Sequence, residues 1–250
     1  MQAIILAAGR GTRLAEFNSD ERPKCLLQFG GESLMSRHMR ILKELGVYRA
    51  HVVVGYHSEW IRDHVEQLEQ RPEISWYHNQ RYDEGSVISL LRALEQIEPL
   101  DEVLLMDADV LYSKRLLERL LTTEHPNCVL IDHDFEAGDE PVKVCEKDGV
   151  IVEFRKKIDT DLDYDSIGES VGFFRLNADA VADLLEITCA YDVQDRGEEP
   201  HEEALRDLML SGEHNFGVED ISGLPWIEID FPEDINRASH EIMPEIGSHA

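Results

Sequence analysis

The sequence predicts an α/β fold: a Rossmann-like, mostly parallel sheet with covering helices and a mixed-strand insertion. Three observations carry this reading. Apolar runs alternate with segments of helical spacing as far as residue 124, an order that builds a parallel sheet with helices on its faces. Runs such as "AIILAAG" and "AHVVVGY" are continuous, as in strands covered on both sides. Beyond residue 124 strand follows strand, with "KDG" as a hairpin turn.

The elements follow in order. "AIILAAG" is the first buried strand. In "SLMSRHMRILKELGV", Leu34, Met35, His38, Ile41, Leu42 and Leu45 share a helical face that stops at Gly46. "AHVVVGY" is the second strand, and "HSEWIRDHVEQLEQ" a helix that opens on Ser58. "EISWYHN" is the third strand, followed by the helix "SVISLLRALEQI", for which Ser86 is the expected cap. "DEVLLMDADV" is a fourth strand ending in carboxylates, and "SKRLLERLLTT" the next helix. "CVLIDHD", "VKVCEKDGVIVEFRKK" and "SVGFFRL" then read as antiparallel or mixed strands. "NADAVADLLEIT" and "HEEALRDLML" are helices, and "WIEIDFPEDINRASHEI" is a strand entering a final helix near Pro232. No internal repeat or low-complexity linker divides the chain, so one domain over residues 1–250 is expected.

Charge narrows the partners. The chain has 24 Lys/Arg against 52 Asp/Glu, a net charge of −28, which excludes a broad nucleic-acid footprint. Residues 1–50 hold eight cations against five anions, and no lysine follows Lys157. A small anionic molecule is therefore drawn to the N-terminal segment. The acidity elsewhere keeps the protein soluble and also fits a saline habitat. The four cysteines form no CxxC pair or zinc spacing, so a reducing cytoplasm is the expected location. The opening residues lack a positive n-region and run into "GRGTR", which favours a buried strand over a signal segment. No apolar run approaches the roughly 20 residues of a membrane span.

Strand, glycine turn and nearby cations in "ILAAGRGTRLAEFNSDERPKCLLQFGG" suggest a phosphate site. A Walker loop needs GK followed by Ser or Thr, which the chain lacks. A dinucleotide loop needs a third glycine where Leu14 stands, and an acid ending the second strand, where "HVVVGY" has none. The remaining pattern, "LAAGRGTRL" followed by "PK", resembles the signature of the nucleotidyltransferase family that activates sugar phosphates and related metabolites. "LLMDADVL", "PVKVCEKDGVIVEFRKKI", "GESVGFF", "HEEALRDLM" and "WIEIDFPEDINRA" resemble successive blocks of its cytidylyltransferase-like branch. Members of that branch act on phosphocholine, inositol phosphate or aminoethylphosphonate. The chain departs from it at Gly85-Ser86, where many members carry two asparagines before "SL".

The resemblance implies a nucleotidyltransferase, or glycosyltransferase-A-like, fold. Residues 1–124 would form the nucleotide-binding core, and residues 125–250 the part that binds an acceptor and completes a metal site. The reaction implied is Mg²⁺-dependent transfer of a nucleotide, CMP from CTP, to a small phosphorylated or phosphonylated acceptor, with release of pyrophosphate. Three alternatives stay open: a sugar-1-phosphate enzyme using another triphosphate, a DxD glycosyltransferase, and a non-catalytic nucleotide sensor.

The glycine turn (Leu6, Ala7, Ala8, Gly9 and Gly11) can wrap phosphates with its backbone N–H groups. Arg13 and Lys24 can neutralise charge on the departing pyrophosphate. Asp107 and Asp109 lie at i and i+2 on one strand face at its carboxyl end. Asp107 is the first expected metal ligand, and Asp109 fits a turn cap equally well. The resemblance puts the second metal carboxylate at Asp230, which could otherwise cap the following helix. Lys143 and Lys156, flanking the "KDG" turn, are candidates for the acceptor phosphate or α-phosphate, or else solvated strand lysines. By analogy with the family, Gln80, Gly85 and Ser86 read the nucleobase. His57 and His64 are expected on a solvated helix face. The acids of residues 190–230, with Tyr191 or Trp226, suggest a cationic acceptor head group held near Glu202 and Glu203, or else a solvated helix face.

Overall fold

The computed structural model describes residues 1–14, 21–97 and 102–248. Strand β1 (Gln2–Ala7) leads through the glycine turn and a 3₁₀ turn (Thr12–Leu14). A second 3₁₀ turn (Lys24–Leu26) precedes a small hairpin, β2 (Gln28–Phe29) and β3 (Glu32–Ser33). Then follow α1 (Leu34–Glu44), β4 (Arg49–Val54), α2 (Ser58–Glu66), β5 (Glu73–His78) and α3 (Ser86–Leu94). Strands β6 (Val103–Asp107) and β7 (Val110–Tyr112) flank the "DAD" corner and lead to α4 (Lys114–Thr122). The second half runs β8 (Asn127–Asp132), β9 (Lys143–Lys147), β10 (Val150–Arg155) and β11 (Ser166–Leu176). It continues with α5 (Ala178–Val193), α6 (His201–Leu210), β12 (Phe216–Asp220) and β13 (Trp226–Glu228). It ends with α7 (Pro232–Arg237), a π-helical turn (Ala238–Ile242) and α8 (Met243–Ser248).

Among the described residues the main sheet has nine strands, in the order β10-β9-β11-β6-β1-β4-β5, with β8 pairing both β11 and β12. Its first-half part is parallel: β1 lies between β4 and β6, and β5 follows β4. The long β11 runs antiparallel to β6, β8 and β9, so the sheet carries strands from both halves of the chain. The expected mostly parallel sheet with a mixed insertion is the observed one. Strand β12 goes beyond the sequence reading, because "FGVED" is short and half polar.

Successive residues of β1 face opposite layers, as the pleat requires. Ala3, Ile5 and Ala7 join Met35, Met39, Ile61 and Leu117, whereas Ile4 joins Val87, Leu90, Leu205 and Leu208. Helices α1, α2 and α4 therefore cover one face, and α3, α5 and α6 the other. A third cluster, with Leu14, Leu34, Leu111 and Ile229, seats the C-terminal helices beside the glycine turn. The Asp148-Gly149 turn between β9 and β10 has φ of 50° and 76°, the left-handed pair that an Asp-Gly hairpin turn accommodates.

Two local expectations are corrected. Gly85, not Ser86, caps α3, and Ser86 is the first helical residue, with its hydroxyl turned to His201. His64 does not lie on a solvated face. Its Nε2 meets the hydroxyls of Ser33 and Ser36 at 2.8 and 2.7 Å, joining α2 to the N-terminus of α1.

Candidate active site

The register Leu6↔Asp107 and Ala7↔Val54 brings the ends of β1, β4 and β6 to one edge of the parallel sheet. The glycine turn leaves from that edge, where ligands of open α/β sheets bind. Gly11 has φ 63°, and a Cβ there would sit 2.9 Å from Lys24 Cγ. Glycine at position 11 thus lets the turn close over the Lys24 side chain. Residues 15–20, between Arg13 and Lys24, lie outside the described residues.

Opposite this turn, β7 and β13 pair antiparallel with Val110 against Glu228, and Ile229 N–H donates to the Asp109 carbonyl at 3.0 Å. That pairing places Glu228 and Asp230, two residues apart on one face, beside Asp109. Oxygens of Asp109, Glu228 and Asp230 lie within 4.8 Å of one another. Asp230 is not the cap of α7. The cap is Phe231, and the backbone N–H groups of Asp230 and Phe231 donate to Asp234 Oδ2. The Asp230 carboxylate is left for the cations: Lys24 Nζ meets its Oδ1 at 2.5 Å and Arg13 Nη1 its Oδ2 at 2.7 Å. Lys24 also reaches Asp109 Oδ2 at 3.3 Å.

The charges explain the titration. Burial alone would lower the Lys24 ammonium, but Asp109 and Asp230 hold it above its ordinary value. The carboxyls of Asp107 and Glu228 are pushed well up, first by lost solvation and then by the carboxylates around them. Asp107 stands next to the group of three rather than within it, its Oδ1 3.8 Å from His201 Nε2. A further buried group shapes the corner. His38 is fully buried, its Nε2 3.1 Å from the Ala108 carbonyl and its Nδ1 3.2 Å from Tyr112 Oη. A carbonyl only accepts, so Nε2 carries the proton and Nδ1 accepts from Tyr112. Burial lowers His38 to about 4, so it is neutral at pH 7 and grips the backbone between Asp107 and Asp109.

Beside this cluster lies an open cavity of about 270 Å³. It is lined by Leu6, Ala7, Ala8, Gly9 and Gly11, then Lys24, Tyr82, Ser86, Asp107, Asp109, His201 and Glu228. A second cavity, about 500 Å³, lies across Glu228 and Asp230, with Asp132, Glu169, Trp226, Phe231 and Arg237 in its wall. The Glu169 carboxyl is raised to about 7 by burial and by Asp132.

The structure brings together most of the expected residues. Arg13, Lys24, Asp109 and Asp230 meet at one point, with Asp107 alongside. Gln80 is exposed and is not among the residues lining the first cavity. Lys143 is a cross-link: its Nζ donates to the carbonyls of Gly138, Pro141 and Lys156 at 2.8, 3.2 and 2.7 Å, which uses all three ammonium hydrogens. Lys156 pairs with Glu140 at 3.2 Å, and Glu140 lies 3.4 Å from Arg13. Gly85 is explained by packing. A Cβ there would come within 2.0 Å of the Glu199 carbonyl oxygen, so an asparagine cannot fit beneath the segment entering α6.

The expected cationic pocket near Glu202 and Glu203 is dispersed. Glu203 pairs with Arg155, while buried Tyr191 bonds Asp207 and lies under the Arg196 guanidinium at 3.7 Å. Glu202 lines the first cavity and Trp226 the second. Sequence reasoning missed Glu228 and His201. The i, i+2 carboxylates of "IEID" were a signal for the first; no spacing marks the second.

Known proteins share both the sequence pattern and the fold. The family described as "MobA-like NTP transferase domain" matches residues 3–168. A CTP:phosphoglutamine cytidylyltransferase of Campylobacter jejuni is 23% identical, over 94% of this chain and 98% of that protein. A CMP-5'-(3-aminopropyl)phosphonate synthase of Streptomyces rubellomurinus is 26% identical over 98% of this chain, which spans only 39% of that longer protein. Among solved structures, the inositol-1-phosphate CTP transferase of T. maritima superposes with a TM-score of 0.77 at 23% identity. That match covers 98% of this chain and 95% of the other. The CTP:phosphocholine cytidylyltransferase of Streptococcus pneumoniae gives 0.75 at 23% identity, over 94% and 96%. Among the described residues, no helix is long and apolar enough to cross a membrane.

Proposed function

Because the chain belongs to the family of MobA-like NTP transferase domains, we propose that it transfers CMP from CTP to a small phosphorylated or phosphonylated metabolite. One observation carries the reaction type: the cations Lys24 and Arg13 and the carboxylates Asp109, Glu228 and Asp230 converge at the mouth of a glycine turn. The names of similar proteins, several of which use CTP, support the choice of cytidine.

An anionic oxygen of the acceptor attacks the α-phosphorus in line; the bond from that phosphorus to the bridging oxygen breaks, and pyrophosphate leaves. A phosphate monoester is largely dianionic at pH 7, so the attack needs no general base. The protein's part is positioning and charge neutralisation. Turn amides at Gly9 and Gly11 hold the triphosphate, and Lys24 and Arg13 meet charge on the leaving group.

Asp109, Glu228 and Asp230, with Asp107 beside them, offer only hard carboxylate oxygens, and oxygens of the first three lie within 4.8 Å of one another. This donor set suits Mg²⁺, which takes one or two carboxylates together with substrate phosphates. When bound, the ion would polarise phosphoryl oxygens.

The acceptor occupies the second cavity, across Glu228 and Asp230 from the nucleotide. Its acidic wall and the rings of Trp226 and Phe231 favour a head group that carries positive charge over a bare sugar. Four nucleoside triphosphates tested against phosphocholine, 2-aminoethylphosphonate, inositol 1-phosphate and glucose 1-phosphate, read by pyrophosphate release, test the proposal. CTP is expected to lead by tenfold or more, in line with the roughly 10⁴-fold rejection a hydrogen-bonding site can reach. Comparable turnover with another triphosphate removes the cytidine assignment. Release of a nucleoside diphosphate in place of pyrophosphate indicates glycosyl transfer, and binding without turnover a sensor.

A further inference from the structure

His201 is 3% exposed and opens helix α6 at the wall of the first cavity. Its ring is held from one side. Ser86 Oγ accepts the His201 backbone N–H at 2.8 Å and lies 3.0 Å from ring Nδ1. The other ring nitrogen, Nε2, is buried without a hydrogen-bond partner. Asp107 Oδ1, 3.8 Å away, is beyond hydrogen-bond reach. The adjacent Glu202 repeats the pattern. Its Oε2 is buried and unbonded, although it lies 3.1 Å from His201 Nδ1. Two neighbouring polar atoms in one cavity wall thus bear desolvation with no return inside the protein.

We propose that His201 and Glu202 recognise the ribose hydroxyls of the bound nucleotide. The identity of the ligand rests on the nucleotide-transfer reading above. The choice of a diol follows from the donors and acceptors present. Ser86 Oγ can donate to Nδ1 or accept from it, so Nε2 is either donor or acceptor, and a hydroxyl satisfies both cases. A carboxylate such as Glu202 accepts from hydroxyls. A phosphoryl oxygen only accepts, and Asp107, Asp109 and Glu202 would repel it. Position selects the ribose over the acceptor. His201 is tied to Ser86 on α3 and faces the cavity shared with the glycine turn, not the second cavity beyond Glu228 and Asp230.

Calorimetric binding of the four ribonucleoside triphosphates and their 2′-deoxy and 3′-deoxy counterparts tests this on the intact chain, with pyrophosphate release measured in parallel. Wild type is expected to bind the preferred ribonucleotide roughly tenfold or more tightly than at least one deoxy form, because a missing hydroxyl leaves buried groups unpaired. In His201→Phe and Glu202→Gln the ribonucleotide weakens and that ratio falls toward one. Equal affinity of wild type for ribo and deoxy forms overturns the proposal. So does equal weakening of both forms in the variants. A discrimination carried instead by the acceptor, seen as a change in the KM of inositol 1-phosphate but not phosphocholine in these variants, overturns the ribose assignment. Sugar discrimination without pyrophosphate release sinks the transfer reading alone, and turnover without sugar discrimination sinks this inference alone. If no nucleotide binds, both fall.

Discussion

Lys24 and Asp230, 206 positions apart in the chain, meet with Nζ 2.5 Å from Oδ1. Their contact ties the segment after the glycine turn to the turn after β13. The same carboxylate takes Arg13 through its second oxygen. Two cations and three carboxylates therefore share one small volume, and removing any member changes the balance for the rest.

The carboxylate group carries a trade of stability against function. Glu228→Gln relieves repulsion from Asp109, Asp230 and Asp107, so the variant is expected to melt no lower than wild type. Its turnover should fall roughly a thousandfold, the scale of several kcal/mol of lost transition-state stabilisation. Asp230→Asn should lose as much. Turnover above a tenth of wild type at saturating Mg²⁺ in either variant would remove that residue from the proposed metal set.

Lys24→Ala leaves Asp109 and Asp230 short of their shared cation. Its melting temperature should drop, and added Mg²⁺ should raise it by more than in wild type, because the ion replaces the missing charge. Thermal melts with and without 10-fold steps of Mg²⁺ (on the order of the millimolar affinities of weak oxygen sites) check this. An equal Mg²⁺ response in the two proteins would show that Lys24 does not compensate a cation site. Arg13→Lys should recover only part of the activity, since an ammonium is a point charge where the guanidinium offers a planar fork.

Gly85→Asn, which introduces an asparagine at the point where the chain departs from the resembling branch, should destabilise this protein. The new Cβ collides with backbone at Glu199, not with a flexible side chain. Overpacking of this kind costs about 1–3 kcal/mol, or several degrees in a chain of this size. The displaced start of α6 would also disturb His201. An unchanged melting curve would mean that the 197–200 segment moves aside freely.

His38 makes stability depend on pH. Its folded value of about 4 lies below the ordinary 6.5, so the unfolded chain binds the extra proton between those limits. Its contribution is fully present above about pH 6.5, and up to roughly 3 kcal/mol is lost as the pH falls to about 4. Asp107, Glu228 and Glu169, with raised carboxyls, act in the opposite sense on acidification. Comparison with His38→Gln isolates the histidine: the variant should take up fewer protons on unfolding between pH 4 and 6.5. Identical proton uptake in denaturant titrations of both proteins would refute the neutral, buried assignment.

The amino-acid order by itself determined the parallel core, because continuous apolar runs and helical stripes are local patterns that only a doubly covered sheet can bury. It also marked the Asp-Gly hairpin turn and the glycine turn with its cations in "AAGRGTR", since backbone conformation and nearby charge are encoded within a few residues. Arg13, Lys24, Asp107 and Asp230 were expected together as one site, with Asp109 read equally as a turn cap. Only the tertiary structure decided that β13 lies against β7, which adds Glu228 and sets Asp107 to one side. It also decided that Lys143 spends its hydrogens on carbonyls, that Gln80 stays outside the cavity, and that His201 enters it. The physical reason is the same in each case. A charged or polar side chain takes its role from the partners and the dielectric around it, and those arrive from segments up to two hundred residues away.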